Sequence, residues 1–289
     1  MGKKGKKAQA GKPKKQTPKD IGKRLNALAK NLEEELEGAD LFAPLPPTED
    51  CAICLVPLFR LNDETQIGTR YQACCGKEIC KACFIENIES IKKQKNAGKK
   101  VAFTCPFCRE PDPTCFDEEF AQLQVRCLQN DHNAFTLMGG LYRDGGLGKA
   151  KDDLKALDCW IRAIELGSPA ACVSIGNCYD KGEIGAIDKE RAALFEQIGA
   201  LRGSIVARHY VGCFEYNAGN HEIAIRHWKI AAEAGTQDSL DVLRKIYNAG
   251  ANSGEKFISK EYLESTYRAC HEAQMEVKSE ERERHRVKE

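Results

Sequence analysis

LMGGLYRDGG at residues 137–146, SIGNCYDKGE at 174–183 and YVGCFEYNAG at 210–219 carry one pattern three times: glycine, then tyrosine, then glycine. The marks are Gly139/Tyr142/Gly145, Gly176/Tyr179/Gly182 and, more loosely, Gly212/Tyr216/Gly219. A second set follows each: Lys155-Ala156, Arg191-Ala192 and Ile223-Ala224, then a small-residue pair and a closing glycine at Gly167, Gly203 and Gly235. The closing glycines are 36 and 32 residues apart, a period that signals an array of helix pairs. Small residues let two helices approach closely, and a glycine past a helix end takes the left-handed conformation that stops it. Tyr247 and Gly250 mark a partial fourth unit. Ser259 reads as the N-cap of a last helix, with Tyr262, Ser265, Thr266, Ala269 and Ala273 at helical spacing.

Upstream of the repeats, eight of the fifteen cysteines fall between Cys51 and Cys108. They read Cys51-x-x-Cys54, Cys74-Cys75-x4-Cys80-x-x-Cys83 and Cys105-x-x-Cys108. A Cys-x-x-Cys knuckle holds two sulfurs about 3.5–4 Å apart, the edge of a tetrahedron around zinc with bonds of ~2.3 Å. Three such pairs with a Cys-Cys doublet between them point to two structural zinc ions rather than to disulfides or free thiols. All six histidines lie outside this stretch, so the candidate ligands are Cys51, Cys54, Cys74, Cys75, Cys80, Cys83, Cys105 and Cys108. Zinc held by four thiolates has no open position for water, which argues against hydrolysis at the metal. Phe84, Ile85, Ile88 and Ile91 supply a helix face after the third knuckle, and Val101-Ala-Phe103 reads as a short strand. The other seven cysteines (Cys115, Cys127, Cys159, Cys172, Cys178, Cys213 and Cys270) read as small apolar helix residues.

The 289 residues hold 44 basic and 43 acidic side chains, but residues 1–24 carry ten Lys/Arg against Asp20 alone. Residues 1–19 lack hydrophobic periodicity and read as a disordered basic tail. Its clusters suit a nuclear address. With no aromatics interleaved for stacking and an acidic remainder, nucleic acid is not the expected partner. No apolar run reaches the ~18–20 residues of a membrane span. Neither a secretory signal nor a myristoylation pattern is present, since Lys6 stands where the latter needs Ser or Thr. The expected location is intracellular, cytoplasmic with nuclear entry open to it, where thiols stay reduced. Behind Asp20, a candidate N-cap, Ile21, Leu25, Leu28, Leu32 and Leu36 recur at helical spacing, and residues 43–48 (APLPPT) form a stiff linker.

The glycine–tyrosine marks resemble the Sel-one-like repeats, a branch of the tetratricopeptide superfamily, over about residues 131–250. That resemblance implies an α-solenoid that binds a protein partner. The order of cysteine pairs over residues 48–111 resembles a RING finger in its all-cysteine form. It implies a cross-brace, with Cys51, Cys54, Cys80 and Cys83 on one zinc and Cys105 and Cys108 joined by Cys74 and Cys75 on the other. Lys77 stands where the family commonly has histidine, and an ammonium has no lone pair for a metal. The adjacency of Cys74 and Cys75 leaves the position of the eighth ligand open. PHD fingers and B-boxes need an internal histidine, and FYVE fingers need four Cys-x-x-Cys pairs, so these fit poorly.

The RING family implies a ubiquitin ligase without a covalent intermediate of its own. Ile53 and Pro106 then match the apolar contacts to a ubiquitin-conjugating enzyme. Arg109 matches the cation that bridges that enzyme and ubiquitin. The alternative is a non-catalytic, zinc-stabilised interaction scaffold. The expected architecture is a small α+β zinc module plus an all-α helical-repeat solenoid. Its divisions are a basic tail at 1–19, a helix and Pro-rich linker at 20–47, the zinc finger at 48–111, a connecting helix at 112–130, the repeats at 131–250, and a capping helix with charged tail at 251–289.

Overall fold

The computed structural model describes residues 17–58, 69–253 and 257–277. The expected disordered tail therefore lies almost wholly outside the described residues, as does the charged end beyond residue 277. Among the described residues the chain runs α1 (Pro18–Leu36), β1 (Thr69–Gln72), β2 (Lys77–Cys80), α2 (Lys81–Asn96) and α3 (Phe116–Leu128). It continues through α4 (His132–Asp144), α5 (Asp153–Glu165), α6 (Pro169–Lys181), α7 (Lys189–Leu201), α8 (Ile205–Asn217) and α9 (His221–Glu233). It ends with α10 (Gln237–Ser253) and α11 (Lys260–Val277). Among the described residues no helix is long and apolar enough to cross a membrane.

From α4 onward the molecule is a helical-repeat array. Each of α4 to α9 has 13 residues, and α4 packs on α5, α6 on α7 and α8 on α9, with each pair stacked on the next. Asp131, Asp152, Ser168, Asp188 and Ser204 cap successive helices, each accepting from backbone N–H groups of the first turn. Gly167, Gly203 and Gly235 have φ of 95°, 96° and 103°. At each, the following N–H (Ser168, Ser204, Thr236) returns to a carbonyl five residues back, the glycine turn that ends one helix and launches the next. The uneven period has a local cause. Seven residues (182–188) join α6 to α7, whereas three (218–220) join α8 to α9, and those four residues separate 36 from 32. The fourth unit is incomplete: α10 runs on through Gly250, and α11 packs on both α9 and α10. Ser259 does cap α11, its hydroxyl accepting from Tyr262 N at 3.1 Å.

The inner glycines serve close packing. A Cβ on Gly212 would sit 2.6 Å from Trp228 Nε1, and one on Gly139 would collide with Trp160. Each indole donates to a carbonyl three residues before its glycine, Trp160 to Thr136 at 3.2 Å and Trp228 to His209 at 3.1 Å. Both tryptophans are the eighth residue of their helix. In the middle repeat that place belongs to Glu196, 2% exposed, with Oε1 2.7 Å from a Cβ on Gly176 and Oε2 without a hydrogen-bond partner.

Burial, reinforced by the Asp180 charge, pushes the Glu196 carboxyl well above the usual carboxylate range. A raised folded pKa means no penalty below the unfolded value near 4.5 and a growing loss of stability as pH climbs from there toward the folded value. Glu196→Gln is therefore expected to raise stability at pH 7 by about 1–3 kcal/mol and to flatten urea midpoints measured between pH 5 and 8. A variant that tracks the parent profile at every pH would show that Glu196 is not the titrating group.

The first helix departs from its expected role. Its N-cap is Thr17, not Asp20. Asp20 is the third helical residue of a capping box, and Pro18 fills the first turn. Its apolar stripe (Ile21, Leu25, Leu28, Ala29 and Leu32) is buried in the same cluster as Trp160, Ile164 and Phe195, because α1 packs on α5 and α7. Arg24 pairs with Asp158 and Glu165, and Glu35 with Arg202 at 2.7 Å. Beyond the helix, the Leu41 carbonyl accepts from buried Arg208. Phe42 lies against His227 (centroids 4.7 Å apart) and under the Arg226 guanidinium at 3.6 Å. Burial, with Arg208 and Arg226 adding to it, lowers the His227 pKa to about 4. Residues 17–42 thus form a strap across three repeats.

Candidate metal centres

Two knuckles share one construction. Cys51 N donates to Val56 O at 2.8 Å and Leu55 N to Cys51 O at 2.9 Å; Cys105 N donates to Glu110 O at 2.8 Å and Arg109 N to Cys105 O at 3.0 Å. Bridges Asp50↔Pro57 and Thr104↔Pro111 close the two loops. In each, the residue after the second cysteine is left-handed: Leu55 at φ 57° and Arg109 at φ 64°. The third pair straddles a strand–helix junction, with Cys80 ending β2 and Cys83 in the first turn of α2. Cys74 and Cys75 sit in the turn between β1 and β2, which pair antiparallel from Thr69↔Cys80 to Gln72↔Lys77. That turn is closed by Cys75 N and Gly76 N, both donating to Gln72 O, with Gly76 at φ 70°. Residues 101–103 do not form the expected strand, because only the Thr104↔Pro111 bridge is present there. Phe103 instead lies under the Lys95 ammonium at 3.8 Å.

The eight cysteines gather into two quartets, Cys51/Cys54/Cys80/Cys83 and Cys74/Cys75/Cys105/Cys108, with all ligand atoms of each within 4.8 Å of one another. Sulfur separations of 3.8 Å (Cys54–Cys80), 3.9 Å (Cys75–Cys105) and 3.5 Å (Cys74–Cys108) fit the tetrahedral edge for a metal–sulfur bond of ~2.3 Å. Each quartet can hold a metal ion. Lys77 takes no part, and the adjacent Cys74 and Cys75 both belong to the second quartet.

Crowding of four sulfurs has an electrostatic signature. The thiols hydrogen-bonding to Cys80, Cys83 first, bring its pKa down to about 5, and the same contact, with burial, drives Cys83 far up. Burial pushes Cys54 up as well. In the second quartet burial raises Cys74, and it raises Cys75 to about 11. Cys108 ends below the ordinary thiol value, because the Glu110 N–H and its neighbouring thiols outweigh its slight burial. Cys80 and Cys108 are thus lowered, while Cys54 and Cys83 beside the first and Cys74 and Cys75 beside the second are raised. Four thiolates at this spacing call for a divalent cation.

Among the other singled-out residues, Ile53 is 40% exposed and Arg109 is exposed, whereas Pro106 is buried beneath its knuckle. Two apolar knuckle residues not foreseen from sequence are open to solvent, Leu55 at 74% and Phe107 at 44%. The spacing held a signal for them, since each lies in a short cysteine loop with no room for a core. Of the seven remaining cysteines, Cys172, Cys178 and Cys270 are buried and Cys127, Cys159 and Cys213 half-buried. Cys115 is exposed at the N-cap of α3 and makes no capping bond, so it is not an apolar helix residue. No described histidine joins either quartet.

No protein-family model matches the chain, and no curated protein matches it. Among solved structures, a Sel1 repeat protein from Oxalobacter formigenes is 23% identical at TM-score 0.47, covering 66% of this chain and 73% of that one. A protective antigen of uropathogenic Escherichia coli strains, displaying an SLR fold, is 23% identical at TM-score 0.45 and covers 53% of this chain and 33% of that one. An immunity protein from Pseudomonas aeruginosa is 14% identical at TM-score 0.35, covering 68% and 84%.

Proposed function

We propose that each cysteine quartet holds a structural zinc ion and that the protein is a zinc-stabilised interaction scaffold of the RING ubiquitin-ligase type. The observation that carries this reading is the interleaving of the four cysteine pairs, first with third and second with fourth. Zinc would be held by Cys51, Cys54, Cys80 and Cys83 at one site and by Cys74, Cys75, Cys105 and Cys108 at the other. With four thiolates per ion it supplies shape and no open coordination position. Any contribution to a reaction is then positional: a conjugating enzyme and its thioester-linked ubiquitin are held in a reactive arrangement. Ile53, Leu55 and Phe107 offer exposed apolar surface for that enzyme. Arg109, exposed beside the last ligand, offers a planar fork of donors to two partners at once. Pro106 shapes its loop from beneath, so Phe107 takes over the contact first assigned to it. The repeats, read as Sel-one-like, select the protein partner. The reading sets the protein in a reducing compartment, where thiols stay free for metal.

A ubiquitination reaction with purified protein and a panel of conjugating enzymes tests this. Chain formation is expected with at least one enzyme, falling at least tenfold in Ile53→Ala and in Arg109→Ala. A protein that holds two zinc ions yet forms no chains with any enzyme is the scaffold alone.

A further inference from the structure

The turn that carries Cys74 and Cys75 rests on the helical array. Arg126, near the end of α3, donates from Nη2 to the Cys74 carbonyl at 3.2 Å. A Cβ on Gly76 would lie 2.9 Å from both Arg126 Nη1 and Asp131 Oδ2, so the turn is pressed against both side chains. Asp131 has two attachments. Its Oδ1 caps α4 through Asn133 N (3.0 Å) and Ala134 N (3.3 Å), while its Oδ2 accepts from the Tyr71 hydroxyl of β1 at 2.6 Å. Asn133 Nδ2 adds a bond to Glu78 of β2 at 3.1 Å. Under these polar links, Tyr71 and Ala73 pack into one apolar cluster with Phe120, Leu123, Ala134 and Met138 of α3 and α4.

We propose that the second metal site is shared between the cysteine module and the helical array, with Arg126 as its positioning residue. Two consecutive cysteines serve one ion only if their turn holds a single conformation. Arg126 fixes that turn from outside, at a carbonyl within the ligand pair itself. Its guanidinium also places a positive charge beside a site that carries a net −2 when four thiolates hold a divalent ion. Among the described residues the first quartet has no contact of that kind at a ligand backbone: Cys51, Cys80 and Cys83 pack with Leu58 and Ile79 of the module, and α4 reaches only Glu78, two residues before Cys80. Occupancy of the second site is therefore linked to the start of the array at a ligand's own backbone and through the Asp131 cap of α4, whereas the first is reached only by the Asn133 bond to Glu78. The module and the repeats are held at a fixed angle by the same contacts.

The inference rests on the reading that metal occupies both quartets, and one experiment separates the two. The full chain is loaded with ¹¹³Cd²⁺, its two resonances are assigned with Cys108→Ser, and loss of each is followed in excess EDTA. A parent protein that binds fewer than two ions overturns the metal reading. With two bound, Arg126→Gln is expected to release the second ion ten- to a hundredfold faster, a usual effect of losing an outer-shell partner, with the first ion unchanged. Equal acceleration at both sites, or parent rates at both, overturns the assignment. Tyr71→Phe, which deletes one hydroxyl from the same network, is measured alongside in case Arg126→Gln does not fold. Its release is expected to accelerate at the second site only, and parent kinetics there would equally overturn the proposal.

Discussion

If the quartets hold metal as proposed, its removal is expected to unfold β1, β2 and α2 while α5 to α11 stay folded. The module's buried cluster consists of Cys51, Leu58, Ile79, Cys80 and Cys83, so three of its five members are sulfurs of one quartet. Leu58 and Ile79 contribute about 1.5–3 kcal/mol each by burial. A structural zinc ion contributes on the order of 10–16 kcal/mol. The metal dominates by a wide margin, and a two-stranded sheet of four-residue strands has little stability of its own. Cys83→Ser should lose the ion of the first quartet and the dispersed amide resonances of β2 and α2. Cys115→Ser, exposed and outside both quartets, should change neither. Acid should act as chelation does, because protons displace metal from thiolates. A metal-free protein whose β1, β2 and α2 amides remain protected from hydrogen exchange would show that packing alone holds the module.

What the sequence disclosed and what it withheld divide along a physical line. Spacing along the chain disclosed the repeats, their closing glycines and the Ser259 cap, because each is a local rule of a few residues. The grouping of cysteines into quartets was also available, though only through a family resemblance. Three-dimensional destinations were not. The stripe of Ile21, Leu25, Leu28 and Leu32 announces an amphipathic helix, but nothing in it says that the face covered is that of α5 and α7. Asp20 stands directly before the apolar stripe and reads as a cap, but the order Thr17-Pro18-x-Asp20 is that of a capping box with Thr17 at its head. Val101 and Phe103 have strand-forming side chains yet no partner edge, and propensity without a partner makes no strand. Glu196 was passed over as one acid among 43; only its alignment with Trp160 and Trp228 at the eighth place of each helix exposes it. Pro106 is buried and Phe107 exposed because that knuckle turns one of its two middle residues inward, and their order alone does not say which.

The strap supplies the second large effect. Leu25→Ala is expected to lower the stability of the whole helical array by about 2–5 kcal/mol, the cost of a large-to-small change at a fully packed site. Leu25 is 1% exposed and lies in one continuous cluster with α5, α6 and α7, so the cavity would open inside the array. The ion pairs of the strap matter far less. Arg24 and Asp158 are 34% and 38% exposed, and pairs this open to water contribute at most about 1 kcal/mol; Arg24→Gln should shift stability by no more than that. Two tryptophans report on the outcome from separate places. Trp160 belongs to the cluster that α1 enters, while Trp228 belongs to the next cluster along. Urea unfolding followed by fluorescence of single-tryptophan variants reads each in turn. If the strap binds the three repeats into one cooperative unit, Leu25→Ala moves both midpoints by the same amount. If the repeats respond only to their neighbours, Trp160 moves and Trp228 holds. If neither moves, α1 is an appendage whose burial contributes nothing, and the continuous cluster it shares with Trp160 makes that the least expected result.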